Sequence, residues 1–185
     1  MNIPVNNSAV SSWKLRLIYA APQTSISMLW IPVYVLQGVY AKYYGISMTS
    51  IAIVVLLSRI FDALIDPIVG DLSDRYKEKT GLRKPLIAFG ACFFVISSIL
   101  LYVPPFQPTL IYFALSLSVF FVGLTCVFIP YLAWGGELAV TSHEKTALFA
   151  ANVAAGYVGL AIFYSIPILP FFETAEITPE TMKWA

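Results

Sequence analysis

Residues 58–75 read SRIFDALIDPIVGDLSDR and set Arg59, Asp62 and Asp66 at spacings i, i+3 and i+7. On a helix that spacing lays all three side chains along one stripe, and the carboxylates of Asp62 and Asp66, one turn apart, can approach within ~6 Å. Carboxylate oxygens are hard ligands suited to a small hard cation such as sodium, and either group could instead bind and release a proton. Arg59 can neutralise one of the two acids, which leaves the other for a bound ion. Pro67 directly follows Asp66, removes an amide donor and disfavours helical geometry at Asp66. A distortion there would expose a carbonyl as a further ligand. Gly70 permits close approach one turn later. A second reading of the same residues is an internal ion network that fastens this helix to its neighbours.

The elements that position this stripe are set by composition. Of 185 residues, 59% are hydrophobic, 15% aromatic and only 11% charged, and the mean hydropathy is +0.80. A soluble domain uses about 25% charged residues, so this chain has too little polar material for a water-facing exterior and reads as an all-α polytopic membrane protein. Its net charge of +1 argues against a nucleic-acid partner. Cys92 and Cys126 lie in apolar runs and read as small buried hydrophobes, and His143 has no second His or Cys near it for a zinc site. The N-terminal MNIPVNNSAVSSWKLR lacks the apolar core and cleavage pattern of a secretory signal. A spanning helix needs ~20 mostly apolar residues, and five segments qualify: 17–41, 47–70, 85–104, 109–134 and 147–172. Pro22 and Pro32 predict a bend in the first, and AANVAAGYVGLA in the fifth predicts a packing face of small residues.

Within the second span, a rise of ~1.5 Å per residue puts Asp62 on the order of 10 Å below the end near Asp71. A charge at that depth costs at least ~2.5 kcal/mol on the most lenient insertion scale. Two anions side by side cost more unless something positive stands between them, which makes the stripe a candidate coupling site. Loop charge supplies the orientation. Arg75, Lys77, Lys79, Arg83 and Lys84 follow the second span, Lys145 follows the fourth, and Lys14 and Arg16 precede the first, whereas VPPFQP between the third and fourth is uncharged. The positive-inside rule then places the N-terminus and these connections in the cytoplasm. The closing TPETMKWA reads as a loop turning towards a sixth helix, so the expectation is one N-terminal bundle, residues 1–185, with five of six helices present and a C-terminal domain absent.

RIFDALIDPIVGDLSDR followed by TGLRKP, and IPYLAWGGELA followed by HEKTALFA, resemble the second and fourth helices, with their following loops, of the glycoside–pentoside–hexuronide:cation symporters, the melibiose permease-like family of the major facilitator superfamily. Gly70, Asp74, Arg75, Gly81, Arg83 and Lys84 are similar to the superfamily's cytoplasmic loop signature. The resemblance implies a symporter of twelve helices in two halves, working by alternating access in the cytoplasmic (inner) membrane. It implies a sugar site beside a sodium or proton site, with Asp62 and Asp66 as the cation aspartates and Arg59 as the family's helix-two arginine. It also implies that Asp74 and Arg75 belong to a cytoplasmic gate. Three positions depart from the family pattern: Ile26 and Phe128 stand where it has acids, and Asn152 where it has an arginine.

Sugar sites combine aromatic stacking with hydrogen bonds, and Trp30, Tyr34, Gln37, Tyr131, Asn152 and Tyr157 are the candidate cavity residues by depth and chemistry. Trp134 and Gln23 are further candidates, and Glu137 reads as a gate or loop ion pair. No nucleophile–base pair, metal cluster or nucleotide loop points to an enzyme, and no cofactor is expected beyond a coupling sodium or proton. The expected partners are a small-molecule solute of the sugar class, the bilayer and the missing C-terminal half. The function expected is cation-coupled sugar or glycoside transport. A related carrier for a non-sugar solute, or a non-transporting assembly protein with a structural ion network, stands as the alternative.

Overall fold

The computed structural model describes residues 13–170, 172 and 176–183, and the expectations placed on the first twelve residues lie outside it. Five helical segments are long and apolar enough to cross a membrane, and no strand is present among the described residues. The protein is a multi-pass helical membrane protein.

The first span is two helices, α1 (Trp13–Trp30) and α2 (Val33–Tyr44), separated by a turn at Ile31 and Pro32. Pro32 has no amide to donate and constrains the residue before it, so the ladder stops at Ile31, whose amide still reaches Ser27, and restarts with Leu36 donating to the Pro32 carbonyl. Pro22 lies inside α1 without breaking it.

The second span is α3 (Met48–Thr80), which runs well past the expected end at Gly70 and absorbs most of the expected basic loop. DLSDRYKEKT contains neither glycine nor proline, Asp71 and Arg75 pair one turn apart at 2.8 Å, and Lys77 and Lys79 in the last turn complement the helix dipole. At ~1.5 Å per residue the helix is far longer than a hydrocarbon core of ~30 Å, so its polar end projects beyond the membrane. Gly81, at φ +73°, caps it in the left-handed conformation open to glycine. Pro67 does not end the helix, which continues through it.

Then follow α4 (Lys84–Tyr102), α5 (Leu110–Leu138) and α6 (Ser142–Ser165), which continues into a 3-10 turn at Ile166–Ile168. Thr141 and Glu144 form a reciprocal capping box that starts α6 five residues before the apolar run. The closing stretch, expected as a loop, contains a short helix α7 (Pro179–Lys183) whose Met182 is buried near Met28, Leu29, Tyr102 and Phe163.

The bundle is built from α1 on α6 and from α5 between α3 and α4. Two glycines decide how closely these pairs approach. A Cβ at Gly159 would collide with the Thr24 carbonyl of α1, and one at Gly90 would collide with the Cys126 carbonyl of α5. Gly159 belongs to the small-residue run of the fifth span, which here is a packing face. Phe94 of α4 packs on Phe120 of α5, and Phe113, Leu117, Phe121 and Leu124 of α5 belong to the same buried core. Buried hydroxyls find carbonyls: Tyr40 donates to Leu101 at 2.8 Å, and Tyr102 donates to Leu29. Outside this core, α3 presents Ile53, Leu57, Ile60, Leu64 and Ile68 to the exterior, as a lipid-facing or helix-facing surface requires. Cys92 is likewise exposed rather than buried, because it sits on the outer face of α4, while Cys126 is partly enclosed.

Candidate functional site

Two recesses share a wall. The first, of about 170 Å³, lies between α3 and α5 and is lined by Arg59, Asp62 and Asp66 with Thr125, Trp30 and Phe128. Thr125, buried in the middle of α5, places its Oγ1 3.0 Å from Asp62 Oδ1 and 3.0 Å from Asp66 Oδ1. A hydroxyl carries one proton, so it can donate to only one carboxylate at a time. The other contact is satisfied only if that carboxyl carries a proton itself, or if a cation sits among the three oxygens. Arg59 is the local counter-charge, but its Nη1 is 3.5 Å from Asp62 Oδ2, a long contact. Its guanidinium lies 4.1 Å from the centroid of the Phe121 ring, and Nη2 donates to the Tyr34 hydroxyl at 3.3 Å. The stripe expected from the sequence is therefore one cluster. Thr125 was not foreseen; its signal was a polar residue inside the run GLTCVFIP, where a buried hydroxyl needs a partner. Among the described residues no group of three or more His, Cys, Asp or Glu gathers to hold a metal ion, so the oxygens here are two carboxylates and a hydroxyl.

The second recess, of about 370 Å³, opens between α1, α5 and α6. Trp30, Asn152 and Tyr157 line it, joined by Gln23, Ser27 and Phe149. Its polar groups form a chain: Asn152 Nδ2 donates to Gln23 Oε1 at 3.5 Å, and Gln23 Nε2 donates to Ser27 Oγ at 3.0 Å. Among the described residues no charged side chain lines this recess. Trp30 and Phe128 line both recesses and form the partition between them.

The other expected cavity residues sit elsewhere. Tyr131 is 1% exposed, stacked on Tyr19 with ring centroids 4.7 Å apart, and its hydroxyl reaches Asn152 Oδ1 at 2.6 Å. It supports a lining residue from behind because the inward face of α5 carries it into the core. Tyr34 points to Arg59, and half-buried Gln37 on α2 lines neither recess. Trp134 packs against Tyr19 and lies 5.4 Å from Lys84 Nζ. Ile26 is buried in the core.

The residues of the expected gate loop gather at the far end of α3. Arg83, 7% exposed, bonds Ser73 Oγ at 2.6 Å, Asp74 Oδ1 at 2.6 Å and Glu137 Oε1 at 2.9 Å, and Lys77 reaches the same Glu137 oxygen at 2.7 Å. Burial works against the Arg83 charge, but the bonds to Asp74 and Glu137 outweigh it and hold the guanidinium pKa above its ordinary value. Asp74 thus pairs within this bundle. Arg75 pairs with Asp71 and lies on a helix rather than in a loop. Gly70 leaves a Cβ in ordinary contact with Ile129, so close approach does not depend on it.

These features define a helical membrane bundle with a charged pocket between α3 and α5 and a groove lined by neutral side chains beside it. Residues 17–184 match the family model described as MFS/sugar transport protein, and the chain belongs to that family. It is 26% identical over 180 residues to "Uncharacterized symporter YnaJ" of Bacillus subtilis, which covers 95% of this chain and 37% of that protein. It is 30% identical over 139 residues to "Putative glycoside/cation symporter YagG" of Escherichia coli, 73% of this chain and 30% of the relative. "Inner membrane symporter YicJ" of Escherichia coli is 31% identical over 112 residues, 59% of this chain and 24% of the relative. The chain therefore spans between about a quarter and somewhat over a third of the length of these relatives. No solved structure matches it.

Proposed function

We propose that this chain forms most of the N-terminal half of a cation-coupled symporter for a sugar or glycoside, working by alternating access in the cytoplasmic membrane. Asp62 and Asp66 bind the coupling ion, sodium or a proton, with Thr125 as the third oxygen and Arg59 as the fixed counter-charge. The observation that carries this reading is the single Thr125 hydroxyl between two carboxylate oxygens, both at 3.0 Å. That arrangement asks for one more positive charge than the residues supply. Trp30, Asn152 and Tyr157, with Gln23 and Ser27, contact the solute in the adjoining groove. Binding of the ion favours the solute-competent state, and rocking of this half against a second one carries both across. The basic end of α3 with Arg83, Lys77 and Glu137 faces the cytoplasm, as the distribution of Lys and Arg favours, and the ion pairs of Asp74, Arg75 and Arg83 brace that gate.

The experiment is ion-dependent uptake by the full-length protein in proteoliposomes. Asp62→Asn and Asp66→Asn are expected to abolish the dependence on sodium or pH while the protein still folds. Unchanged ion dependence with lowered stability would sink the coupling role and favour the structural ion network. A non-sugar solute is the second reading, favoured by Phe128, an apolar side chain that lines the groove, and by Ile26, which is buried in the core and offers the groove no acid. A panel of labelled glycosides against uncharged non-sugar solutes separates the two.

A further inference from the structure

Two adjacent carboxylates and a nearby arginine ordinarily collapse onto each other. Charge-assisted bonds from guanidinium to carboxylate settle at roughly 2.7–2.9 Å and are often bidentate. Arg59 has not done so: it makes one contact of 3.5 Å with Asp62 Oδ2 and no ion pair with Asp66. The guanidinium is held instead by two aromatic residues from other helices. The Phe121 ring of α5 is 4.1 Å from Arg59 Cζ, and Tyr34 of α2 lies with its ring centroid 6.0 Å away and its hydroxyl accepting from Nη2 at 3.3 Å. Phe121 is 1% exposed and fixed in the core, whereas Tyr34 follows directly after the break between α1 and α2 and is exposed.

We infer that Phe121 and Tyr34 form an aromatic dock that holds the Arg59 guanidinium beside the two aspartates rather than between them, keeping their oxygens open for a single monovalent cation. The inference rests on the coupling role proposed above for Asp62 and Asp66. With Arg59 docked, the pocket carries one uncompensated negative charge, which one sodium ion or one proton neutralises. With Arg59 undocked, the guanidinium can reach the carboxylates and takes the cation's place as a tethered competitor. Because the dock joins α2 to α5 across α3, a movement of α2 that carries Tyr34 away loosens Arg59 and favours release of the ion. Phe121 and Tyr34 are thus positioning residues for ion binding, acting through Arg59.

The test is radiolabelled sodium binding to the purified full-length protein, comparing wild type, Phe121→Leu, Arg59→Gln and the double variant. Cation–π contacts of this kind predict that Phe121→Leu raises the half-saturating sodium concentration roughly three- to thirtyfold. In the Arg59→Gln background the same substitution should change it by less than about twofold, since no competitor remains to be released. Tyr34→Phe, an exposed change with little folding risk, should act in the same direction and less strongly, again only with Arg59 present; it decides the matter if Phe121→Leu does not fold. Equal effects in both backgrounds, or no effect in either, would overturn the dock. If the coupling ion is the proton, the midpoint of the pH dependence of uptake replaces sodium binding in the same comparison. A wild-type protein indifferent to both sodium and pH would remove the coupling reading and the dock together, an outcome distinct from the loss of the dock alone.

Discussion

Replacing Thr125 by valine keeps the shape of the side chain and removes one oxygen from the centre of the charged pocket. The consequence can be worked from two distances. Oγ1 is 3.0 Å from both Asp62 Oδ1 and Asp66 Oδ1, and its one proton can serve one of them at any moment. The loss is thus one hydrogen bond to a charged group, about 1.5–3 kcal/mol, and not two. If the hydroxyl oxygen also ligates the coupling ion, Thr125→Val weakens ion binding by roughly ten- to a hundredfold, since 1.4 kcal/mol is a factor of ten. Thr125→Ser restores the hydroxyl and should recover most of the affinity. The assay is solute uptake by the full-length protein as sodium or pH is varied, read as the half-saturating ion concentration, with thermal stability in detergent measured beside it. A structural ion network predicts a different pattern: lower stability, no change in ion dependence, and no distinction between serine and valine beyond stability. Ion dependence within about twofold of wild type in the valine variant would refute the reasoning, because a third of the proposed oxygen set would then have no part in holding the ion.

Other perturbations test the frame around the site. Gly159→Ala should destabilise the α1–α6 pair by about 1–3 kcal/mol, because the added methyl meets the Thr24 carbonyl; Gly38→Ala, with nothing within 4 Å of the new Cβ, should be neutral or slightly stabilising, and thermal denaturation of both variants checks the contrast. Arg83→Gln leaves Asp74 and Glu137 without their buried partner, but those acids are 65% and 35% exposed. The cost should therefore be about 1–2 kcal/mol, below the full penalty for orphaning a buried charge, with the loss read as a lower midpoint in detergent. Lys42 sits 2.6 Å from Glu176 and holds that carboxyl below its ordinary value of 4.5. A depressed acid stabilises the folded contact above its unfolded value and loses that contribution as pH falls through the folded value. Protection of the amides of residues 176–183 from hydrogen exchange, taken relative to the intrinsic rate at each pH, should thus be constant near neutrality and fall below pH 4.5.

What the sequence made legible follows how local each signal is. The Arg59–Asp62–Asp66 stripe needs only helical spacing, and it emerged as a single cluster on α3. The membrane class and the number of spans follow from composition and the length of apolar runs. The boundary of α3 did not follow, because hydropathy marks where a helix leaves the bilayer and not where it stops; DLSDRYKEKT is polar yet has helix-forming residues up to Gly81. Tyr131 was misplaced for a different reason. Its depth in the span was right, but which side of α5 faces the groove is set by contacts with Tyr19 and Asn152, which stand 112 and 21 positions away in the chain. Phe121 left no trace in the sequence at all, since one of the two phenylalanines in SVFFVG is distinguished only by the guanidinium of another helix lying over it.

The two recesses draw on different helices, and that division bears on the solute. The charged pocket depends on α3 and on Thr125, whereas the groove takes its polar groups from Gln23 and Ser27 of α1 and Asn152 of α6. Side chains of α1 and α6 can therefore change the solute without disturbing the distances around Asp62 and Asp66. What the recesses share is Trp30 and Phe128, and any influence of the ion on the solute within this half must pass through that partition or through motion of the helices that carry it. Phe128 presents an apolar face to both sides, so it offers the ion no oxygen and the solute no charge. Under the proposed function, the expected solute is uncharged, reads the amides of Gln23 and Asn152, and rests part of its surface on aromatic rings. Phe128→Asp tests that division: by adding a carboxylate to both recesses it should tighten sodium binding and disturb solute selectivity at once, whereas Asn152→Ala should alter solute affinity and leave the half-saturating sodium concentration for binding within about twofold of wild type.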